Sequence, residues 1–186
     1  MPSNKKIILG LVGEMGSGKS TATEYLREKY GAVTFRFSDM LRDILKRIQV
    51  EPLRGNLQAL STFLRQNFNE NIMSRVLAQD VEASAAAFII TEGIRRPSDI
   101  EYLAQLPGFI LVALQVDERT RYERIANRHE NSDDANKTWA QFQKEGQQEA
   151  EQKIKEIMRM AQYQIDNNGT KENFWQQIDA VMQKIL

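Results

Sequence analysis

GLVGEMGSGKS occupies residues 10–20, between the apolar IIL at 7–9 and the helix-forming TATEYLREKY at 21–30. Its Gly13, Gly18, Lys19 and Ser20 fall at the spacing G-x-x-x-x-G-K-[ST], with Gly16 as a further glycine inside the loop. The chemistry of phosphate binding asks for these residue types. Glycines let backbone N–H groups turn inward around phosphate oxygens, and a helix beginning near Lys19 adds the positive end of its dipole. Lys19 then reaches the β- and γ-phosphates, and the Ser20 hydroxyl is placed to ligate Mg²⁺. The motif follows a strand pattern and opens a helix pattern, as its mechanism demands.

Outward from the loop, strand and helix patterns alternate, which predicts an α/β fold on a mainly parallel sheet with helices on both faces. Strands are expected at 7–12, 32–37, 88–91, 109–116 and 163–166. Helices are expected at 21–30, 39–48, 56–86 with a break near 67–71, 118–129, 136–161 as one or two helices, and 170–186. In the last of these, Phe174, Ile178, Val181, Met182 and Ile185 repeat on one helical face and read as a core stripe. Right-handed crossovers give five parallel strands in the order 2-3-1-4-5.

Composition narrows the function. At 186 residues the chain is expected to form a single domain. Lys plus Arg and Asp plus Glu each total 25, so no net field draws it to nucleic acid or to an anionic membrane. With no cysteine, disulfides, thiolate zinc sites and cysteine nucleophiles are excluded. No window approaches the roughly 20 apolar residues of a bilayer span, and the apolar stretch after Lys5 and Lys6 is too short for a signal peptide. A cytoplasmic protein is expected, a monomer by default. No N-K-x-D guanine-reading motif is present, and the length argues against most motor and AAA+ architectures.

Three further features point to transfer of a phosphoryl group to a small molecule. FSDMLR at 37–42 follows the second strand and TEGIRRP at 91–97 closes the third. Strand ends of this kind line the ligand crevice of a doubly wound sheet, and a carboxylate with an arginine at each suits an anionic acceptor. The third is VDERTRYERIANR at 116–128, where Arg121, Arg124 and Arg128 share one helical face while Tyr122, Ile125, Ala126 and His129 share another. Read alone, those arginines form a solvated face. His129 falls on the packing stripe, Trp139 and Phe142 form a small aromatic core, and Asp133 and Asp134 are solvated loop acids.

In this order, the phosphate loop, SDMLR, EGIRR and the E-R-x-x-x-R helix resemble the nucleoside monophosphate kinases. SDMLR is similar to the GDMLR of adenylate kinases, and TEGIRR stands where those enzymes have DGFPR. AQYQIDNNGTKENF resembles the corresponding segment of dephospho-CoA kinases. RGNLQALSTFLRQNF, EGIRRPSDIEYL and SDDANKTWAQF together resemble a group of uncharacterised archaeal and bacterial P-loop kinase-like proteins, over nearly the whole chain. The resemblance implies one kinase-like domain over 1–186, with an acceptor-binding helical segment at about 38–85 and a helical lid at about 124–150. It implies that ATP and Mg²⁺ are the cofactors. Gly13, Glu14, Met15, Gly16, Ser17 and Gly18 would wrap the phosphates, with Lys19, Ser20 and Thr21 at the helix start and Asn168 and Gly169 near the adenine. Ser20 and Glu92 would serve the metal, and Asp39 would accept a proton or orient a hydroxyl. Arg42, with Arg95 or Arg96, would hold an acceptor phosphate, while Arg124 and Arg128 would clamp the transferring group.

The chain also departs from these families. Ser38 replaces the glycine of the adenylate kinases, Glu-Gly-Ile-Arg-Arg replaces their second signature, and a zinc-bearing lid is excluded. The Asp-rich acceptor segment of dephospho-CoA kinases is reduced to Asp39. Three readings stay open: a nucleoside or deoxynucleoside monophosphate kinase, a dephospho-CoA kinase, and a nucleotide-dependent regulatory ATPase or binding module.

Overall fold

The computed structural model describes residues 6–128, 138–147 and 149–186. Five parallel strands form one sheet: β1 (Ile7–Val12), β2 (Val33–Arg36), β3 (Phe88–Glu92), β4 (Phe109–Gln115) and β5 (Tyr163–Asp166), in the order β2-β3-β1-β4-β5. This is the expected order. The central strand β1, IILGLV, is buried along its whole length. Covered on both faces, such a strand reads as a continuous apolar run rather than an alternation.

Around the sheet lie α1 (Lys19–Tyr30), α2 (Phe37–Arg47), α3 (Arg54–Asn67), α4 (Ile72–Ala83), the short α5 (Pro97–Ile100), α6 (Glu118–Arg128), α7 (Trp139–Gly146), α8 (Glu149–Arg159) and α9 (Lys171–Ile185). The expected break at 67–71 separates α3 from α4, and the segment 136–161, expected as one or two helices, carries two, α7 and α8. Between β3 and β4 the chain adds α5 and a 3₁₀ turn at Leu103–Gln105. Pro97 at the first helical position suits that start, since its missing N–H would have had no partner there.

Alternating strand residues build two cores. Ile8 and Val12 face α2, α4 and α8 through Leu41, Leu77, Val81 and Ile157. Leu9 and Leu11 face α1 and α9 through Leu26, Phe174, Ile178 and Met182. The stripe read on the last helix is therefore the inner face of α9. No helix among the described residues is long and apolar enough to cross a membrane.

A polar clasp joins α9 to the end of α1. The Asp179 carboxylate accepts from Tyr25 Oη (2.8 Å), Tyr30 Oη (2.7 Å) and Lys29 Nζ (2.7 Å), and the Tyr25 ring stacks on Trp175 at 4.2 Å. Burial works against the charge on Asp179, but the bonds from Lys29, Tyr30 and Tyr25 outweigh it and hold its carboxyl below the usual range. Burial and the bond to Asp179 push the Tyr30 phenol up to about 12. A depressed carboxyl stabilises the fold above its unfolded value near 4 and loses that contribution as pH falls through the lower folded value. Asp179→Ala is expected to remove about 1–3 kcal/mol at neutral pH. Thermal melts from pH 7 to pH 3 should show the deficit shrinking towards the acid end; a deficit constant with pH would contradict the ionic account.

Candidate functional site

The phosphate loop leaves β1 at Gly13 and enters α1 at Lys19. Gly16 (φ +81°) and Gly18 (φ +93°) take the left-handed backbone that the turn needs. No side chain caps α1 and no acidic residue enters its first turn, so its positive end is left for an anion. The loop thus fits a polyphosphate. Lys19 lies back along it, donating to Gly13 O and to Glu14 O (3.0 Å).

Asn167 locks the loop from β5. Its Nδ2 donates to Ser17 O at 3.0 Å while its own N–H is held by Gln115 O at 2.9 Å. A β-carbon on residue 18 would meet Asn167 Nδ2 at 2.4 Å, in a backbone that L-residues disfavour. Gly18→Ala is expected to lower stability by about 1–3 kcal/mol and to abolish the thermal shift given by added ATP. A variant that keeps both would show that the loop tolerates a wider geometry than the one seen.

The phosphate-loop helix and the end of β2 meet at Glu92, the last residue of β3. Its Oε1 accepts from Thr23 Oγ1 of α1, and its Oε2 accepts from Arg36 Nε at 2.7 Å, at the end of β2. Ser20, an exposed residue, precedes Thr23 by three positions and so falls on the same side of α1 as Thr23. After Glu92 the chain turns at Gly93 (φ +90°), where an added β-carbon would stand 3.6 Å from Phe37 at the start of α2. TEGIRR and FSDMLR are thereby side by side at the carboxyl edge of the sheet.

The structure distinguishes among the expected residues there. Asp39 sits on the exposed first turn of α2, where Oδ2 accepts from Arg36 N–H at 2.9 Å and closes the helix start. Arg42 and Arg95 are exposed and pair with no carboxylate among the described residues. Arg96 is tied to Glu70 Oε1 at 2.6 Å. Asn168 is also internally engaged, its Oδ1 taking Asp117 N–H (2.8 Å) and its Nδ2 donating to Asp166 (2.7 Å), and an added β-carbon on Gly169 would touch Asn173.

On the arginine face of α6, Arg121 and Arg124 are not solvated. Arg121 is 6% exposed; its Nη2 lies 3.1 Å from Glu14 Oε1, and its Nη1 donates to Met15 O at 3.4 Å. Lys155 Nζ of α8 is 3.7 Å from the same carboxylate. Glu14 Oε1 is buried without an aligned hydrogen bond, so the two cations hold it as ion pairs. Arg121 was the residue that the sequence pattern did not single out for the site. It shares a face with Arg124, but nothing local to α6 reveals that Glu14, 107 positions earlier, closes over it. Arg124 donates through Nη2 to Asn167 O at 2.7 Å, and its Nη1 is buried without a hydrogen bond among the described residues. Trp139 and Phe142 form the expected aromatic core, and Tyr122 of α6 joins it, with ring centroids 5.2 to 5.7 Å apart. The side chain of Arg128, together with His129, Asp133 and Asp134, lies outside the described residues.

The family described as an AAA domain, AAA_17, matches residues 12–143. The chain belongs to this family. Its description names the class whose motor forms the chain length argues against, and the match runs from the end of β1 through most of α7. Among relatives, the chain is 28% identical over 184 residues to a UPF0200 protein of Saccharolobus islandicus, covering 97% of this chain and 94% of that one. It is 25% identical over 174 residues to a UPF0200 protein of Hyperthermus butylicus, covering 94% and 92%. Among solved structures, shikimate kinase from Bacteroides thetaiotaomicron superposes with a TM-score of 0.64 at 13% identity, over 96% of this chain and 98% of that one. A gluconokinase from Sinorhizobium meliloti superposes with a TM-score of 0.58 at 12% identity, over 97% and 93%. The fold is therefore that of the P-loop kinases.

Proposed function

We propose that the protein is an ATP-dependent phosphotransferase whose acceptor is a small nucleotide, a nucleoside or deoxynucleoside monophosphate. The observation that carries this reading is the Glu92 junction. One carboxylate joins the phosphate-loop helix to the ends of β2 and β3, and Arg42 and Arg95, from the two segments that follow and without a carboxylate partner among the described residues, lie at the same edge. A regulatory ATPase needs the loop but has no use for a second anion-binding set beside it.

On this reading the chain works as one P-loop kinase domain over 1–186, with 38–85 forming the acceptor side and 124–150 the lid. ATP with Mg²⁺ supplies the transferable phosphoryl group and neutralises its charge. Gly13 to Thr21 hold the polyphosphate, and Lys19 exchanges the carbonyls of Gly13 and Glu14 for phosphate oxygens. Ser20 and Glu92 are the metal-side groups, Glu92 acting on a metal-bound water. Asp39 retains one oxygen for the acceptor while the other caps α2. Arg42 and Arg95 hold the acceptor phosphate; Arg96, paired to Glu70, supports the turn. Arg124 and Arg128 clamp the transferring group from the lid side, and Asn168 and Gly169 border the base.

The test is a mass-resolved assay of ATP against the common ribo- and deoxynucleoside monophosphates and dephospho-CoA. Shikimate and gluconate join the panel because the structural neighbours bear those names. A phosphorylated monophosphate is the expected product. Product from dephospho-CoA alone would move the acceptor assignment to a ribose hydroxyl with Asp39 as base, and slow hydrolysis with no product from any acceptor would overturn the kinase reading.

A further inference from the structure

The Glu92–Asp99 segment is fixed at both ends, and its far end is held by groups that no step above uses. Asp99 is 2% exposed. Its Oδ2 accepts from two successive backbone N–H groups, Arg95 (2.8 Å) and Arg96 (2.9 Å). Its Oδ1 accepts from Arg65 Nη2 of α3 at 2.6 Å, where the Arg65 side chain is 8% exposed. Through Nη1, Arg65 also donates to Glu70 O and, at 3.4 Å, to Ser98 Oγ. Glu70 in turn takes the Arg96 guanidinium.

Stability alone does not explain this arrangement. Burying two charges costs about as much as their attraction returns, and a well-packed apolar pair is often equal or better. A planar guanidinium fork meeting a carboxylate does fix geometry, because each bond is directional and the pair cannot slide. Here it fixes the peptide between Arg95 and Arg96. With both N–H groups held on one oxygen, the two side chains diverge, Arg96 towards Glu70 and Arg95 into solvent at the carboxyl edge of the sheet.

We infer that Arg65 and Asp99 are positioning residues that aim Arg95 at the acceptor phosphate and join the α3–α4 connection to the acceptor site. The inference rests on the phosphotransferase reading for its substrate, though the clamp itself is independent of it. Removing either charge alone strands the other in the core, so the primary variant is Arg65→Lys, which keeps the charge but cannot fork between Asp99 and Glu70 O. A second, Arg65→Met with Asp99→Asn, removes both charges and leaves an amide oxygen for the two N–H groups.

Steady-state kinetics with the acceptor best phosphorylated by the wild-type protein should show acceptor KM raised about tenfold or more in both variants, with ATP KM and kcat within about threefold. A general loss of structure would move ATP KM as well. Hydrogen exchange should show faster exchange across residues 93–99 while α1 and α9 stay protected. A folded Arg65→Lys variant with unchanged acceptor KM, or with unchanged exchange across 93–99, overturns the inference. If the wild-type protein phosphorylates no acceptor, the function reading fails on that result, and the exchange measurement still decides whether the clamp holds the turn.

Discussion

Lys19→Ala should leave the melting temperature within a few degrees of wild type while lowering the rate of phosphoryl transfer by about 10²-fold or more. In the structure the Lys19 ammonium contacts the loop's own carbonyls, Gly13 O and Glu14 O. Neither contact is needed to hold the fold, because Asn167 fastens the loop from the other side. On the proposed function the same ammonium would reach forward to the leaving and transferring phosphates, where charge builds as the bond breaks. Removing one preorganised donor from such a site typically costs on the order of 10²- to 10³-fold in kcat. Circular dichroism and turnover with the best acceptor check both halves. A variant that keeps half of the wild-type rate would mean that the loop does not serve transfer.

The second large effect separates acceptor binding from stabilisation of the transition state. Arg42 is exposed in the second turn of α2 and pairs with no carboxylate among the described residues, so on the proposed function it would bind a phosphate equally in ground and transition states. Arg42→Ala should therefore mainly raise acceptor KM. Arg124 is differently placed: Nη2 is anchored on Asn167 O, and the buried Nη1 makes no hydrogen bond among the described residues. If Nη1 engages the moving phosphoryl group only as its charge redistributes, Arg124→Ala should mainly lower kcat. Each loss should amount to about 2–4 kcal/mol in kcat/KM, the range for a charge-assisted contact in a partly dry site. Steady-state kinetics of both variants provides the check. A silent Arg124→Ala would limit that arginine to bracing Asn167, and an unchanged acceptor KM in Arg42→Ala would place the acceptor elsewhere.

What could be read from the sequence was whatever local chemistry determines. Gly13, Gly18, Lys19 and Ser20 carry their reason in their spacing, and Phe174, Ile178, Val181 and Met182 carry theirs in a helical period. The sheet order followed from alternation and handed crossovers, strengthened by the family resemblance. Strand limits moved by a residue or two because Phe37 already belongs to α2: Asp39 caps that helix so closely behind Arg36 that no loop intervenes.

The remainder depended on partners far away in the chain. Nothing near Arg121 indicates that Glu14 neutralises it, and the α6 pattern alone favours a solvated face. Nothing near Asp99 indicates that Arg65, 34 positions earlier, is buried against it. Likewise Arg95 and Arg96 are equivalent as letters, and only Glu70, at the α3–α4 connection, tells them apart. Periodicity assigns a residue to a face; it does not say which charge will be waiting there.

The central claim is transfer rather than hydrolysis, and the direct measurement is stoichiometry. With ATP, Mg²⁺ and the best acceptor, ADP and phosphorylated acceptor should accumulate one for one, with inorganic phosphate negligible until the acceptor is exhausted. Inorganic phosphate appearing in step with ADP, at a rate indifferent to the acceptor, would contradict the account.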